Sequence, residues 1–350
     1  MTLRPLALGL TLLAAPLAAE EPDCPPGTDP VVTLGFGSRY TDDSANRSDF
    51  DEDSDRAVTA ALKPIDDFIN DLARLTDRLH DPETEAEVTQ EAAECVIALI
   101  QPWAEADALS DLKTQGANLS APSRAGGIAF AYGAAIAARP ELASDEIEDW
   151  LAARARQAMT FFDTQAPPRA SQNNLRAWAG LAVTRIGLIL DDPVLIDWGA
   201  GSAELVACTA APDGSLPNEM WRGRLALHYQ LHAVAPLVTT AALLPDRDLF
   251  AICDAAIPRI VRFTLVGLDD PTPVEKITGK AQSVGGAKKP RDFELAWVPA
   301  FLRFNPDPEL AARIEGIEKL GNSKLGGDQR LLWPTELTKA APSAGSPTEG

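Results

Sequence analysis

Histidine, tyrosine and methionine each occur only three times in 350 residues, and aromatic residues make up 6% of the chain. Such scarcity confines any proton-transfer chemistry by imidazole or phenol to a handful of positions. Basic residues are also short: 31 Lys and Arg stand against 51 Asp and Glu, a formal net charge of −20. That imbalance speaks against nucleic acid and against anionic membrane surfaces as partners. There is no CxxC pair, and the one HxxxH, His228 with His232, lacks the Glu of a metalloprotease helix, so no metal is expected. Asp49, Asp51 and Asp53 alternate as at the start of an EF-hand, but Ser54 and Ala60 stand where that loop needs Gly and Glu. Beyond the N-terminus no apolar run is long enough to span a bilayer, so no membrane insertion is expected.

What is present begins with "MTLRPLALGLTLLAAPLAAEE". Arg4, the apolar run from Leu6 to Leu13 and the small Ala18 and Ala19 predict a secretory signal over 1–19, cleaved near Ala19. The mature protein is then expected in the periplasm or outside the cell. Cys24, Cys95, Cys208 and Cys253 give an even count that suits two disulfides in such a compartment, with three pairings open.

Ala and Leu recur at helical spacing through most of the chain. The pattern predicts helices over 57–79 (kinked or restarted at Pro64), 85–108, 123–138, 145–164, 173–190, 193–210, 217–244, 248–265 and 293–304. Short turn signals separate them. The class is all-α, and antiparallel helices in this number suit a bundle, a solenoid or a closed toroid of hairpins. One domain is expected over 20–339. A polar segment at about 33–55 has the composition of a mobile lid, and 340–350 that of a disordered tail.

Candidate site residues gather in two stretches. In "PDGSLPNEMWRGRLALHY", Arg222 and Tyr229 are seven residues apart, two turns along one face if 217–244 is one helix. Arg224 lies roughly 200° round from Arg222 and reads as a solvated edge. It forms an i, i+4 pair with His228. Glu219 offers Arg222 an ion-pair partner. In "SQNNLRAW", Asn173, Asn174, Arg176 and Trp178 stand at a helix start, where one Asn serves as N-cap. Amide, guanidinium, phenol and indole together suit a carbohydrate acid, with stacking for the ring and donors for the carboxylate. A hydrolase would instead need two carboxylates. Asp213 and Glu219 are the only nearby pair, and both have simpler turn and ion-pair explanations.

These blocks resemble the mannuronate-specific alginate lyases. "DGSLPNE" followed by "R…ALHY", "CVIALIQPWAEADAL", "QNNLRAW", "ELAWVPAF" and "LGGD" occur in that family's order, and "SRY" (38–40) is similar to the start of its lid. The resemblance implies an incomplete (α/α) toroid of antiparallel helical hairpins and β-elimination on an anionic uronate polysaccharide. It implies Tyr229 as the proton-transfer group, Arg222 as its carboxylate or leaving-side partner, and Asn174 as the amide that neutralises the substrate acid. Trp178, Arg176, Arg39, Tyr40 and His228 are then substrate-binding residues. Elimination needs neither redox chemistry nor a nucleotide, so no cofactor is expected. The family's usual His after this Asn is replaced by Leu175, which leaves a second reading: a polyuronate-binding or polysaccharide-export protein without catalysis.

Overall fold

A computed structural model of the protein describes residues 24–335. The signal sequence expected over 1–19 and the tail expected over 340–350 lie outside the described residues. The described chain is built mainly of helices, as the spacing of Ala and Leu predicts.

The first hairpin pairs α1 (Glu52–His80) with α2 (Ala86–Glu105). Asp51 caps α1 through the Ser54 amide, and α1 runs through Pro64 as one helix rather than restarting there. Helix α3 (Gln115–Ala138) begins eight residues before its predicted start. Thr114 caps it through the Ala117 amide, and Pro122 is absorbed two turns into the helix. A helix apolar on nearly every side belongs at the centre of a protein, and α3 packs against α1, α2, α4 (Asp145–Thr164) and α5 (Asn174–Leu190). Gly126 permits the close approach of α5: a Cβ there would stand 3.0 Å from the Ala182 Cβ.

Helix α5 is the second central element, against α3, α6 (Pro193–Ala207) and α8 (Ala226–Leu243). The core falls into two large apolar clusters. One is built mainly from α1 to α4, the other mainly from α6, α8, α9 (Ile252–Asp269) and α11 (Val298–Phe304). Of the three possible pairings, the disulfides are Cys24–Cys95, at the first cluster, and Cys208–Cys253, exposed and joining the end of α6 to the start of α9.

The predicted helix over 217–244 is interrupted. A short α7 (Pro217–Met220) is followed by a 3₁₀ turn at Gly223–Leu225 before α8 starts at Ala226. Gly223 has φ +56°, and a Cβ there would approach the Asn46 side-chain nitrogen to 2.6 Å. A left-handed residue breaks a helix, and only glycine takes that conformation at little cost. Arg222 therefore does not lie two turns below Tyr229 on one helix; the break brings it round to the phenol ring.

Strand structure is confined to short pairs. Thr33–Leu34 (β1) runs parallel to Asp111–Leu112 (β2), anchoring the start of the segment over 33–55. Within that segment Tyr40 bridges Phe50 and their rings stack. Near the C-terminus, Gly321–Asn322 (β3) pairs antiparallel with Gly327–Asp328 (β4), and the turn between them places Lys324 against the end of the toroid's groove.

Candidate active site

A cavity of about 570 Å³ is walled by the 33–55 segment, the starts of α3 and α5, the α7 break, α8 and Lys324. A second cavity of about 360 Å³ shares Trp178, His232 and Lys324 with it. The two form adjoining chambers along one groove.

Tyr229 stands on the first turn of α8 and lines the larger chamber. The Arg222 guanidinium lies 3.7 Å from the centre of its ring. Arg222 is itself only 7% exposed, and its hydrogen bonds go to neutral oxygens: Nε to the Asn46 carbonyl (3.1 Å), Nη2 to the Arg47 carbonyl (2.6 Å) and to the Tyr40 hydroxyl (2.8 Å). Tyr40 and Tyr229 share a short hydroxyl–hydroxyl bond. Burial raises the Tyr229 phenol well above its ordinary range, and the positive charge of Arg222 pulls against this without prevailing. With Tyr40 seated, Tyr229 is a protonated acid.

At the start of α5, Asn173 takes the N-cap by accepting from the Leu175 amide, which frees Asn174 for another role. Asn174 and Leu175 both line the cavity. Asn174 is held by Glu219: its backbone N–H donates to Oε1 (2.7 Å), and Nδ2 lies 3.0 Å from each carboxyl oxygen. Asn174, not Arg222, is therefore the hydrogen-bond partner of Glu219. Complete burial pushes the Glu219 carboxyl up to about 7, against the pull of the Asn174 donors and of Arg222 and His228. Asp213, its companion in a hydrolase arrangement, is engaged by the amide and hydroxyl of Ser215.

Trp178 lines both chambers, with its indole N–H on the His232 carbonyl. Arg39 and Tyr40 line the larger one, Arg39 in an ion pair with Asp55.

Two sequence expectations are corrected. Arg176 is not among the residues lining either chamber. It is 9% exposed, pairs with Asp163 at 2.7 Å, donates to Ser202 and lies over the Trp198 ring. The reason is helical geometry: two residues beyond Asn174 is about 200° round the axis, whereas Trp178, four residues on, returns to within about 40°. His228 also lines neither chamber; it faces Glu294, with Nδ1 3.4 Å from the carboxylate. His232, three residues past Tyr229, lines both instead. Burial, with the charge of nearby Lys324, keeps His232 well below the usual imidazole range, so it is neutral.

Lys324, Arg124, Arg47 and Arg169 add to the basic lining of the larger chamber. Burial and then the charge of Arg124 push the Lys324 ammonium down to about 7. Arg124 pairs with Asp66 on α1. Lys324 immediately precedes "LGGD", but a lone lysine beside a glycine turn carries no sequence signal. Glu219 was visible as a possible partner of Arg222 and as half of a carboxylate pair with Asp213, not as the residue that holds Asn174.

Comparison with known proteins fits this geometry. The sequence profile named alginate lyase matches residues 37–274. A polysaccharide lyase of Stenotrophomonas maltophilia (strain K279a) is 31% identical over 338 residues, covering 93% of this chain and 95% of its own. An alginate lyase of Azotobacter vinelandii is 28% identical over 331 residues, covering 91% and 86%. Among solved structures, alginate lyase A1-III from Sphingomonas species A1 superposes with a TM-score of 0.70 at 23% identity, covering 91% of this chain and 88% of that one. A variant of A1-III complexed with tetrasaccharide gives 0.73 at 24% identity, with the same coverage. The family match and these relatives make the protein a polysaccharide lyase. Within that class, the chain belongs to the alginate lyase family.

Proposed function

We propose that this protein cleaves a β-linked polyuronate, polymannuronate or a close relative such as glucuronan, by β-elimination, with Tyr229 as the proton-transfer residue. The observation that carries the reading is a phenol lining a sugar-sized groove, with a guanidinium on its ring face and an amide on the adjoining helix start. The C5 proton of a uronate is weakly acidic while the neighbouring carboxylate keeps its charge. Preorganised donors that quench this charge lower the barrier. Asn174 supplies one at the reacting sugar, and Lys324 adds positive charge along the wall.

In the step itself, Tyr229 as phenolate takes the proton from C5. The C–H electrons form the C4=C5 double bond, the C4–O4 bond breaks, and the Tyr229 phenol returns the proton to O4. The proton has moved from carbon to the leaving oxygen, and no water is consumed. A phenolate requires that substrate displace the Tyr40 hydroxyl, which removes one influence that raises the phenol and leaves the Arg222 charge to favour the anion, while the phenol proton passes to water in the opened groove before the sugar reacts. Segment 33–55 then acts as a lid whose Tyr40 seals the acid in the empty site. Trp178 borders both chambers and supports the His232 ring between them.

Leu175 favours a second reading, since it lines the cavity and can neither accept nor donate a proton: the groove binds polyuronate without cutting it. Purified protein with defined polyuronates separates the two by absorbance of the unsaturated product. For a lyase, product forms and Tyr229→Phe lowers kcat by about 10²–10⁴, the range for one acid–base group. Binding with no product in the parent protein establishes the second reading. We also place the mature protein in the periplasm, on the strength of its N-terminal pattern and the two disulfides.

A further inference from the structure

The contact between Asn174 and Glu219 is built for two arrangements. As drawn, the Asn174 NH₂ group points at the carboxyl, and its Oδ1 is buried without a partner at the cavity wall. That orientation commits the donor to Glu219 and leaves an unpartnered acceptor on the other side of the amide, in a residue that borders the cavity. Amide oxygen and nitrogen are nearly isosteric, so a half-turn of the amide fills the same space. Oδ1 would then take the nitrogen's place, 3.0 Å from each Glu219 oxygen. Acceptor cannot face acceptor in a dry site unless a proton lies between them. With a proton on Oε2, that oxygen donates to Oδ1 while Oε1 still accepts the Asn174 backbone N–H. The NH₂ group then takes the place of Oδ1, on the side of the amide away from Glu219.

We propose that Glu219 is a positioning residue whose neutral form turns the Asn174 amide donor toward the substrate carboxylate, so that polyuronate binding takes up a proton at Glu219. This deepens the proposed function and rests on its reading of Asn174. Glu219 has no exposed surface, so it exchanges its proton with the site rather than with bulk water directly. The charged or titratable groups acting on it are Arg222, after α7, and His228, on α8, and both favour its anion. Arg169, on the turn before α5, is occupied by Asn218 and the Trp221 ring. Burial outweighs them and leaves the carboxyl at about 7, where both forms are populated near neutrality. A bound anion favours the neutral form further. The sign follows: the competent form prevails below that value, and affinity falls as pH rises through it.

The test uses the full chain carrying Tyr229→Phe, which suppresses turnover and removes the phenol's own titration. Mannuronate oligomers are titrated by calorimetry in buffers of different ionisation enthalpy, from below to above neutrality. Lys324 also gains a proton beside an anion, so the decisive quantity is the difference made by adding Glu219→Gln. The Gln amide donates to Oδ1 permanently, in place of the acid proton. The expected result is uptake of about one proton fewer per ligand at alkaline pH, with a Kd that no longer weakens by up to about tenfold per pH unit through Glu219. Identical uptake and identical pH slope with and without Glu219→Gln would overturn the proposal. Should Glu219→Gln not fold, Lys324→Met in the Tyr229→Phe background removes the competing ammonium. Persisting uptake there supports Glu219, and its disappearance overturns it. Absence of binding at every pH rejects the polyuronate reading itself, a different outcome from binding without the Glu219 proton.

Discussion

Arg222 and Arg176 are both almost fully buried, and each lies over an aromatic ring, yet they serve opposite ends. Arg222 is held by two backbone carbonyls and a phenol, and among the described residues it has no carboxylate within ion-pair distance. Its charge is left to act on Tyr229 and the cavity. Arg176 faces Asp163, and the pair neutralises itself behind the wall of the groove. Residue type and burial do not distinguish the two. The partner does, because a buried cation matched with a carboxylate has little field left for a ligand.

The sharpest way to break this contrast is to remove each guanidinium. Arg222→Met is expected to lower kcat/KM by about 10²–10³, the scale for losing one preorganised donor to developing charge. The assay is product absorbance over a range of polyuronate concentrations. A fall confined to KM would show that Arg222 only holds the lid through Asn46 and Arg47. Activity close to the parent's would remove Arg222 from the chemistry.

Leu175 tests the contrast from between the two arginines, since it lies on the α5 turn between Asn174 and Arg176 and lines the cavity. Leu175→His restores an imidazole at the place where the resemblance implies one. A rise in kcat of about tenfold or more is expected, the low end of the range being set by a site packed for Leu. If kcat is unchanged while the variant stays folded, Tyr229 and its neighbours have taken over the proton traffic without help from this position.

How far this was legible in the sequence depends on the kind of relation. Helix existence and the all-α class follow from apolar spacing. Tyr229, Arg222 and Asn174 were marked by local motifs, and the structure gathers them on one cavity. What escaped was set by geometry the motifs do not carry. Gly223 breaks the helix on which the Arg222–Tyr229 spacing was reckoned. Arg176 was grouped with Asn174 by proximity, although two steps along a helix reverses the face. Glu219 and Lys324 acquire their character from burial by segments remote in sequence, and Arg222 finds its oxygens some 175 residues upstream, in the 33–55 segment.

The smallest effect on activity is expected on the far side of the comparison. Arg176→Met leaves the Asp163 carboxylate without its partner, and the Ser202 hydroxyl loses its donor. Asp163 is nearly half exposed, so water recovers part of what the pair loses. The cost in stability is therefore about 1.5–3 kcal/mol, typical of a charge-assisted hydrogen bond rather than of a fully enclosed ion pair. Denaturant unfolding reads it as a shift of midpoint with unchanged slope. In the same protein kcat/KM should stay within about threefold of the parent, because surface or structural changes away from the reacting atoms leave transition-state stabilisation intact. A large loss of kcat with little loss of stability would mean that Arg176 reaches the substrate after all. The partition between a cation reserved for the groove and one reserved for the fold would then not hold.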